Sequence, residues 1–230
     1  LFVVSQFGVG LYMFVVGLGF NVAHFRAKAP SAAAVSLSGI AAPFLLATII
    51  TPWLLQTPGL FAEGVTGPQA TLFMGACIAI TAFPMLARII HERGLSNSQL
   101  GTLALSAGAI DDAGAWIVLA IVLASLGAGA GLAIQAIVGG LAFAAFMCTL
   151  APKLLAPLGR AVEREGKLSQ TALAISLGCF MLAAFAMDAV GLHAVFGGFV
   201  LGAAMPRGLF ADELRKRLEP FVVMALTFAL

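Results

Sequence analysis

The stretch Leu105-Ser-Ala-Gly-Ala-Ile-Asp-Asp-Ala-Gly-Ala-Trp116 places two adjacent aspartates near the middle of an apolar run that covers residues 101–125. A run of this length is a candidate membrane span, because crossing about 30 Å of hydrocarbon takes roughly 20 residues of helix. A carboxylate at that depth costs about 2.5–3.5 kcal/mol on insertion scales. No Lys or Arg lies on the run to compensate Asp111 and Asp112. The pair therefore indicates a function inside a membrane.

The composition of the whole chain agrees with a lipid environment. Of the 230 residues, 61% are hydrophobic and 10% are charged, whereas soluble domains carry about 25% charged residues. This excludes a soluble enzyme, a secreted disulfide scaffold and a disordered segment. The sequence contains no nucleotide-binding loop, Ser-His-Asp set or zinc-binding pattern, so we expect neither an enzyme nor a bound cofactor. The net charge of +2 gives no indication of nucleic-acid binding.

Eight apolar stretches approach or reach the length of a membrane span. They cover residues 2–23, 32–52, 69–90, 101–125, 131–152, 169–187, 189–206 and 220–230. None alternates polar and apolar residues as the strands of a membrane barrel do. Lipid offers no partner to an open backbone hydrogen-bonding group, so spans without that alternation must be helices. The sequence predicts an all-α polytopic membrane protein with about eight transmembrane helices. We therefore expect the protein to be embedded in a lipid bilayer.

The basic residues divide the connections into two sets. All of them follow the first, third, fifth or seventh apolar stretch or lie at the edge of that connection, and the connections after the second, fourth and sixth stretches contain none. They are Arg26, Lys28, Arg88, Arg93, Lys153, Arg160, Arg164, Lys167, Arg207, Arg215, Lys216 and Arg217. Cytoplasmic loops are enriched in Lys and Arg. We therefore expect a multi-pass protein of the cell membrane, a bacterial inner membrane, with these loops in the cytoplasm.

The third apolar stretch contains a predicted helix break, in Ala79-Ile-Thr-Ala-Phe-Pro-Met-Leu-Ala-Arg88. Pro84 has no N–H and its ring clashes with the carbonyl four residues earlier. The helix should open around Thr81 to Phe83, which leaves the Thr81 hydroxyl and the nearby carbonyls, including those of Ala82 and Phe83, without helical partners. Carbonyls at broken helices coordinate cations in many transporters. On its own, Pro84 favours a simple kink, but together with two acids on the next predicted helix it favours a cation site.

The two acids are predicted to have different surroundings. Consecutive helical residues point about 100° apart, so one carboxylate can face an ion cavity while its neighbour faces an adjoining helix. An inert pair neutralised by hydrogen bonds is the structural alternative. A carboxylate that exchanges a proton for a cation explains the position better. For the other polar candidates we favour structural roles: a turn for Asp188, packing for His193, backbone hydrogen bonds for Thr102 and Ser106, and burial for Cys77, Cys148 and Cys179.

Several of these segments resemble the monovalent cation:proton antiporter-2 family of the sodium/proton exchanger superfamily, which includes Kef-type proteins. The segments are Ile80–Arg88, Leu103-Ala-Leu-Ser-Ala-Gly-Ala-Ile-Asp-Asp112, Gly191-Leu-His-Ala-Val-Phe-Gly-Gly-Phe-Val-Leu-Gly202, Leu218-Glu-Pro220 and Gly10-Leu-Tyr-Met-Phe-Val-Val-Gly-Leu18. They occur in the family's order along essentially the whole chain.

The resemblance implies a fold of two inverted repeats, in which a domain with two broken helices moves against a dimerisation domain. It implies that Asp112 is the shared site for the cation and the proton, that Asp111 occupies the variable position before it, and that Thr81 lies on the first broken helix. It also implies a homodimer. Residues 1–230 would then be part of an exchanger transmembrane domain, without its first helices, its second broken helix or any basic partner of Asp111.

We therefore expect antiport of Na⁺ or K⁺ against H⁺ by alternating access, with Asp112, Asp111, Thr81, Ala82 and Phe83 at the ion site. The transported ions are the only small-molecule partners expected. Two alternatives remain open: a ligand-gated, Kef-like potassium efflux system, and a membrane sensor or assembly subunit that does not transport.

Overall fold

The computed structural model describes residues 2–20, 22–80, 82–95, 98–123, 125 and 130–227. The elements found there are helices: α1 Phe2–Gly19, α2 Val22–Leu54, α3 Gly67–Ala79, α4 Phe83–Glu92, α5 Gln99–Leu123, α6 Ala130–Thr149, α7 Ala151–Glu165, α8 Gln170–Ala189, α9 Ala194–Ala204 and α10 Leu209–Thr227. No strand occurs within these ranges. The predicted all-α class is confirmed.

Among the described residues, four helices are long and apolar enough to cross a membrane. They contain the segments Pro30–Leu54, Gln99–Leu119, Gly131–Thr149 and Gln170–Ala189. Shorter apolar helices cover Gln6–Gly19 and Ala194–Ala204. Within the described ranges, each of the eight predicted stretches contains helical structure, and the third is divided into α3 and α4.

Three connections differ from the prediction. Helix α10 begins at Leu209, so the basic connection after the seventh stretch is largely helical. Helix α2 begins at Val22 and continues through Pro30, whereas the sequence suggested a loop until Ala32; basic residues mark a membrane boundary without ending a helix. The basic connection after the fifth stretch is also helical, as α7. Its apolar residues Ala151, Leu155 and Val162 are buried, and their helical spacing gives a short helix one face to bury.

The chain divides into two compact units, one of Leu1–Val22 with Val138–Leu230 and the other of Ala23–Ile137. In the first unit, α9 packs on α1, α8 and α7, and α10 packs on α1 and α7. Helices α1 and α9 touch through their backbones: a Cβ atom added at Gly202 would overlap the carbonyl oxygen of Phe14. The rings of Phe14 and Phe180 lie 5.5 Å apart beside this crossing.

Basic side chains hold one end of the first unit together. The Arg207 guanidinium donates to the carbonyl of Leu18 at 2.6 Å and also to that of Ala203, so it caps the ends of α1 and α9. Its burial lowers the pKa of this guanidinium. Arg217 donates to the carbonyl of Leu168, between α7 and α8, at 3.4 Å. The connections after α1, α7 and α9 therefore meet at one end of this unit.

Candidate functional site

The predicted helix break is present in the second unit. Helix α3 ends at Ala79, and α4 begins at Phe83 with Pro84 in its first turn, where a missing N–H leaves no helical carbonyl unpaired. Ile80 is extended, with φ −65° and ψ 113°, and Ala82 is also non-helical, with φ −83° and ψ 83°. Thr81 lies outside the described residues, so its hydroxyl is not placed.

The open carbonyls lie earlier in the break than predicted. The Ala82 carbonyl accepts hydrogen bonds from the N–H groups of Met85 at 3.0 Å and Leu86 at 3.1 Å. Contrary to the prediction, it is not free, because it starts the hydrogen-bond ladder of α4. Among the described residues, no hydrogen bond reaches the carbonyls of Ile78 or Ile80 at the end of α3. A helix C-terminus also carries the negative end of the helix dipole, which favours a cation.

The start of α4 packs tightly against α5. Phe83 is 1% exposed, and a Cβ atom added at Gly108 would lie 3.0 Å from its Cδ2 and 2.9 Å from Cδ2 of Leu86. Because Gly108 precedes Asp112 by four residues, both occupy the same face of α5. The Asp112 face of α5 is therefore the face on which the broken helix packs.

Asp111 faces a different neighbour. The Ser36 hydroxyl, on α2, donates to its Oδ1 atom at 2.6 Å. A Cβ atom added at Gly39, one turn further along α2, would lie 3.5 Å from the other carboxylate oxygen. The backbone of α2 therefore approaches Asp111 closely because position 39 has no side chain.

Asp112 differs from Asp111 in its lack of partners. Its side chain is half-buried in α5. Within the described part of the chain, no hydrogen bond or ion pair reaches this carboxylate. A partly buried carboxylate without a fixed donor is stabilised by a bound proton or a bound cation. The arrangement can hold one or the other.

Sequence analysis missed Ser36 and Gly39 because they lie in another helix, with Ser36 75 positions before Asp111. Serine and glycine are common in membrane helices for packing reasons, so neither residue type stood out. Ser36 is 1% exposed. The one signal that could have identified Ser36 is a hydroxyl on the face of an apolar helix that turns toward the protein interior.

Most of the weaker candidates have structural roles in the structure. The Thr102 and Ser106 hydroxyls donate to the carbonyls of Ser98 at 2.9 Å and Thr102 at 2.6 Å. His193 precedes α9, and its Nδ1 accepts from the Val195 N–H at 3.3 Å. The cysteines correct the prediction of burial: Cys77 and Cys148 are exposed and Cys179 is half-buried, because apolar helices of a membrane protein can direct such residues outward.

A broken apolar helix packed against a helix with two half-buried carboxylates is typical of ion-transporting membrane proteins. Residues 1–230 match the family model described as sodium/hydrogen exchanger, transmembrane. The chain belongs to this family, which confirms the resemblance found in its motifs.

Curated relatives carry antiporter names. Na(+)/H(+) antiporter NhaS4 of Synechocystis sp. is 34% identical over 229 residues, 96% of this chain and 54% of that protein. Cation/H(+) antiporter 18 of Arabidopsis thaliana is 31% identical over 221 residues, 95% of this chain and 27% of that protein. K(+)/H(+) antiporter 1 of Saccharomyces cerevisiae is 29% identical over 224 residues, 94% of this chain and 26% of that protein. The chain thus spans about half the length of the first and about a quarter of the others.

Proposed function

We propose that this chain is part of a secondary antiporter that exchanges Na⁺ or K⁺ for H⁺, with Asp112 as the shared site. The observation that carries the proposal is the Asp112 carboxylate, which has no partner among the described residues and lies on the face of α5 that packs against the broken helix. The antiporter names of the relatives agree with this chemistry.

The exchange rests on competition for one carboxylate. A negative charge in a low-dielectric site must be neutralised, and either H⁺ or an alkali cation can do so. A cation that has lost water needs further oxygen ligands. The Ile78 and Ile80 carbonyls at the end of α3 and the Thr81 hydroxyl are the ligands we propose. Two occupants that exclude each other at one site give obligatory exchange when the site opens to each side in turn.

The remaining elements of the proposal concern the whole protein. Residues 1–230 form part of its exchanger transmembrane domain, which works as a homodimer in a bacterial inner membrane with the basic loops in the cytoplasm. Alternating access moves the unit that carries α3, α4 and α5. The protein is a transporter without a cofactor, and its substrates are the cation and the proton.

Proton coupling tests this function. The full-length protein is reconstituted in liposomes with a pH-sensitive dye, and Na⁺ or K⁺ is added on one side. Antiport predicts a proton movement opposite to the cation movement, including when the membrane voltage is clamped at zero. Cation flux without proton movement would instead support a Kef-like efflux system, and no flux at all would support a sensor.

Within this mechanism, Ser36 is a positioning residue that holds Asp111 toward α2. On the same helix, the Ser38 hydroxyl donates to the Val35 carbonyl at 2.8 Å and the Thr48 hydroxyl to the Leu45 carbonyl at 2.6 Å, whereas Ser36 donates to Asp111. Ser36→Ala should lower the maximal exchange rate about tenfold, since a hydrogen bond to a charged group contributes about 1.5–3 kcal/mol.

The matched control is Ser38→Ala on the same helix, which should exchange at the rate of the unchanged protein. Ser36→Thr keeps the hydroxyl and should restore most of the rate lost in Ser36→Ala. Both rates are read from the initial slope of the dye signal at saturating cation. Equal rates for Ser36→Ala and Ser38→Ala would show that the Asp111 hydrogen bond has no part in transport.

A further inference from the structure

Helix α7 presents a row of basic side chains opposite its buried face. Lys153, Arg160 and Arg164 follow the helical spacing i, i+7 and i+11, so they form one stripe, which we call the basic stripe. All three are exposed. The buried face of the same helix includes Leu155 and Val162, which fixes the direction in which the basic stripe points.

The basic stripe has no ion-pair partner in the part of the chain that the structure describes. Some basic residues of other helices do form ion pairs, such as Arg88 with Glu92 at 2.7 Å and Lys216 with Glu213 at 3.2 Å. Arg160 and Arg164 are four residues apart, and like charges at this spacing repel each other. An external anion would relieve that repulsion.

An exposed apolar stripe lies beside the basic one. Its residues are Leu150, Leu154, Pro157 and Ala161, and all of them are exposed. Leu150 is 53% and Leu154 is 66% exposed. Neighbouring basic and apolar stripes on one short helix are typical of helices that lie in a membrane interface. The acidic residues of α7, Glu163 and Glu165, are exposed and outside both stripes.

The position of α7 in the chain agrees with such an interface. The candidate membrane span Gly131–Thr149 ends two residues before α7 begins. The opposite face of α7 is held by the basic end of the first unit, where a Cβ atom added at Gly159 would lie 2.7 Å from Cβ of Pro206. The helix therefore starts where a span ends and is anchored beside Arg207.

We propose that α7 lies on the membrane surface, with the apolar stripe against lipid and the basic stripe bound to the phosphate groups of anionic phospholipids. Charge complementarity favours anionic over zwitterionic lipid. The apolar stripe favours a bilayer over free phosphate, because free phosphate buries no apolar area. This inference does not depend on the transported ion or on Asp112.

Lipid-dependent unfolding tests the proposal. The full-length protein in detergent is heated with increasing amounts of phosphatidylglycerol or phosphatidylcholine, and the apparent melting temperature is recorded. Phosphatidylglycerol should raise it more. The variant K153Q/R160Q/R164Q should bind phosphatidylglycerol more weakly, by about fivefold per residue at low salt. The variant R88Q/R93Q/K216Q removes the same net charge and should keep the response.

Several results would overturn the proposal: an equal response to the two lipids, an unchanged response in the triple α7 variant, or the same response to inorganic phosphate. A second measurement leaves the charges in place. Spin labels are attached at Ala161→Cys or Glu163→Cys after Cys77, Cys148 and Cys179 are changed to serine. In liposomes, lipid-soluble oxygen should reach the label at position 161, and a water-soluble nickel complex should reach the one at 163; equal exposure to water would refute the membrane contact.

Discussion

Asp112→Asn is expected to abolish cation-dependent proton movement in liposomes that contain the full-length protein. Asparagine has nearly the same shape as aspartate but cannot release a proton or carry the negative charge that attracts a cation. The substitution therefore removes proton release and cation binding together. The dye signal after addition of Na⁺ or K⁺ should fall to that of empty liposomes.

The control for this prediction is Asp188→Asn, an acid at the end of α8 whose backbone carbonyl accepts from the Gly191 N–H at 3.0 Å. That hydrogen bond does not involve the carboxylate, so exchange should be retained. Equal protein content and equal melting temperature of the two variants exclude misfolding. Full exchange in Asp112→Asn would show that Asp112 is not the ion site. If exchange were lost only in Asp111→Asn, the site would be assigned to Asp111.

Competition also predicts the effect of pH on the protein with Asp112 in place. Because H⁺ and the cation exclude each other, lowering the pH should raise the cation concentration needed for half-maximal exchange. Saturating cation displaces the proton, so the maximal rate at the same pH should change much less. A half-saturating concentration that is independent of pH would contradict a shared site.

The sequence predicted the helices and the break well because both depend on local chemistry. Apolar length identifies spans, and Pro84 lacks the N–H that a continuous helix would use at this position. Because Asp111 and Asp112 are consecutive residues of a helix, their side chains must point in different directions, and this could be predicted without knowing any neighbouring helix. These properties belong to single segments, and no tertiary contact is needed to see them.

The contacts of the site depend on partners that are distant in sequence. Ser36 reaches Asp111 from another helix, and no local pattern announces that pairing. The Ala82 carbonyl was expected to be free because a break was expected around it, but α4 begins early enough to use it. Where a broken helix restarts is decided by packing, here of Phe83 against Gly108.

The largest expected effect on stability is at the crossing of α1 and α9. A Cβ atom added at Gly202 would overlap the Phe14 carbonyl oxygen and lie 3.0 Å from Cα of Gly17 and from the backbone N of Leu18. These are backbone atoms, so the new methyl group can be accommodated only if the two helices separate. Overpacking of this kind typically costs about 1–3 kcal/mol.

Gly202→Ala should therefore lower the apparent melting temperature of the purified full-length protein, measured by tryptophan fluorescence at a fixed heating rate. The matched control is Gly178→Ala in α8, where an added Cβ atom meets no other atom within 4 Å. Because alanine is favoured over glycine in a helix by about 1 kcal/mol, this variant should melt at the same temperature or higher. The same substitution thus has opposite signs at two helical glycines, and the difference isolates the close approach of α9 to α1. Equal melting temperatures would mean that the two helices can separate without loss, and that their backbone contact does not hold the first unit together.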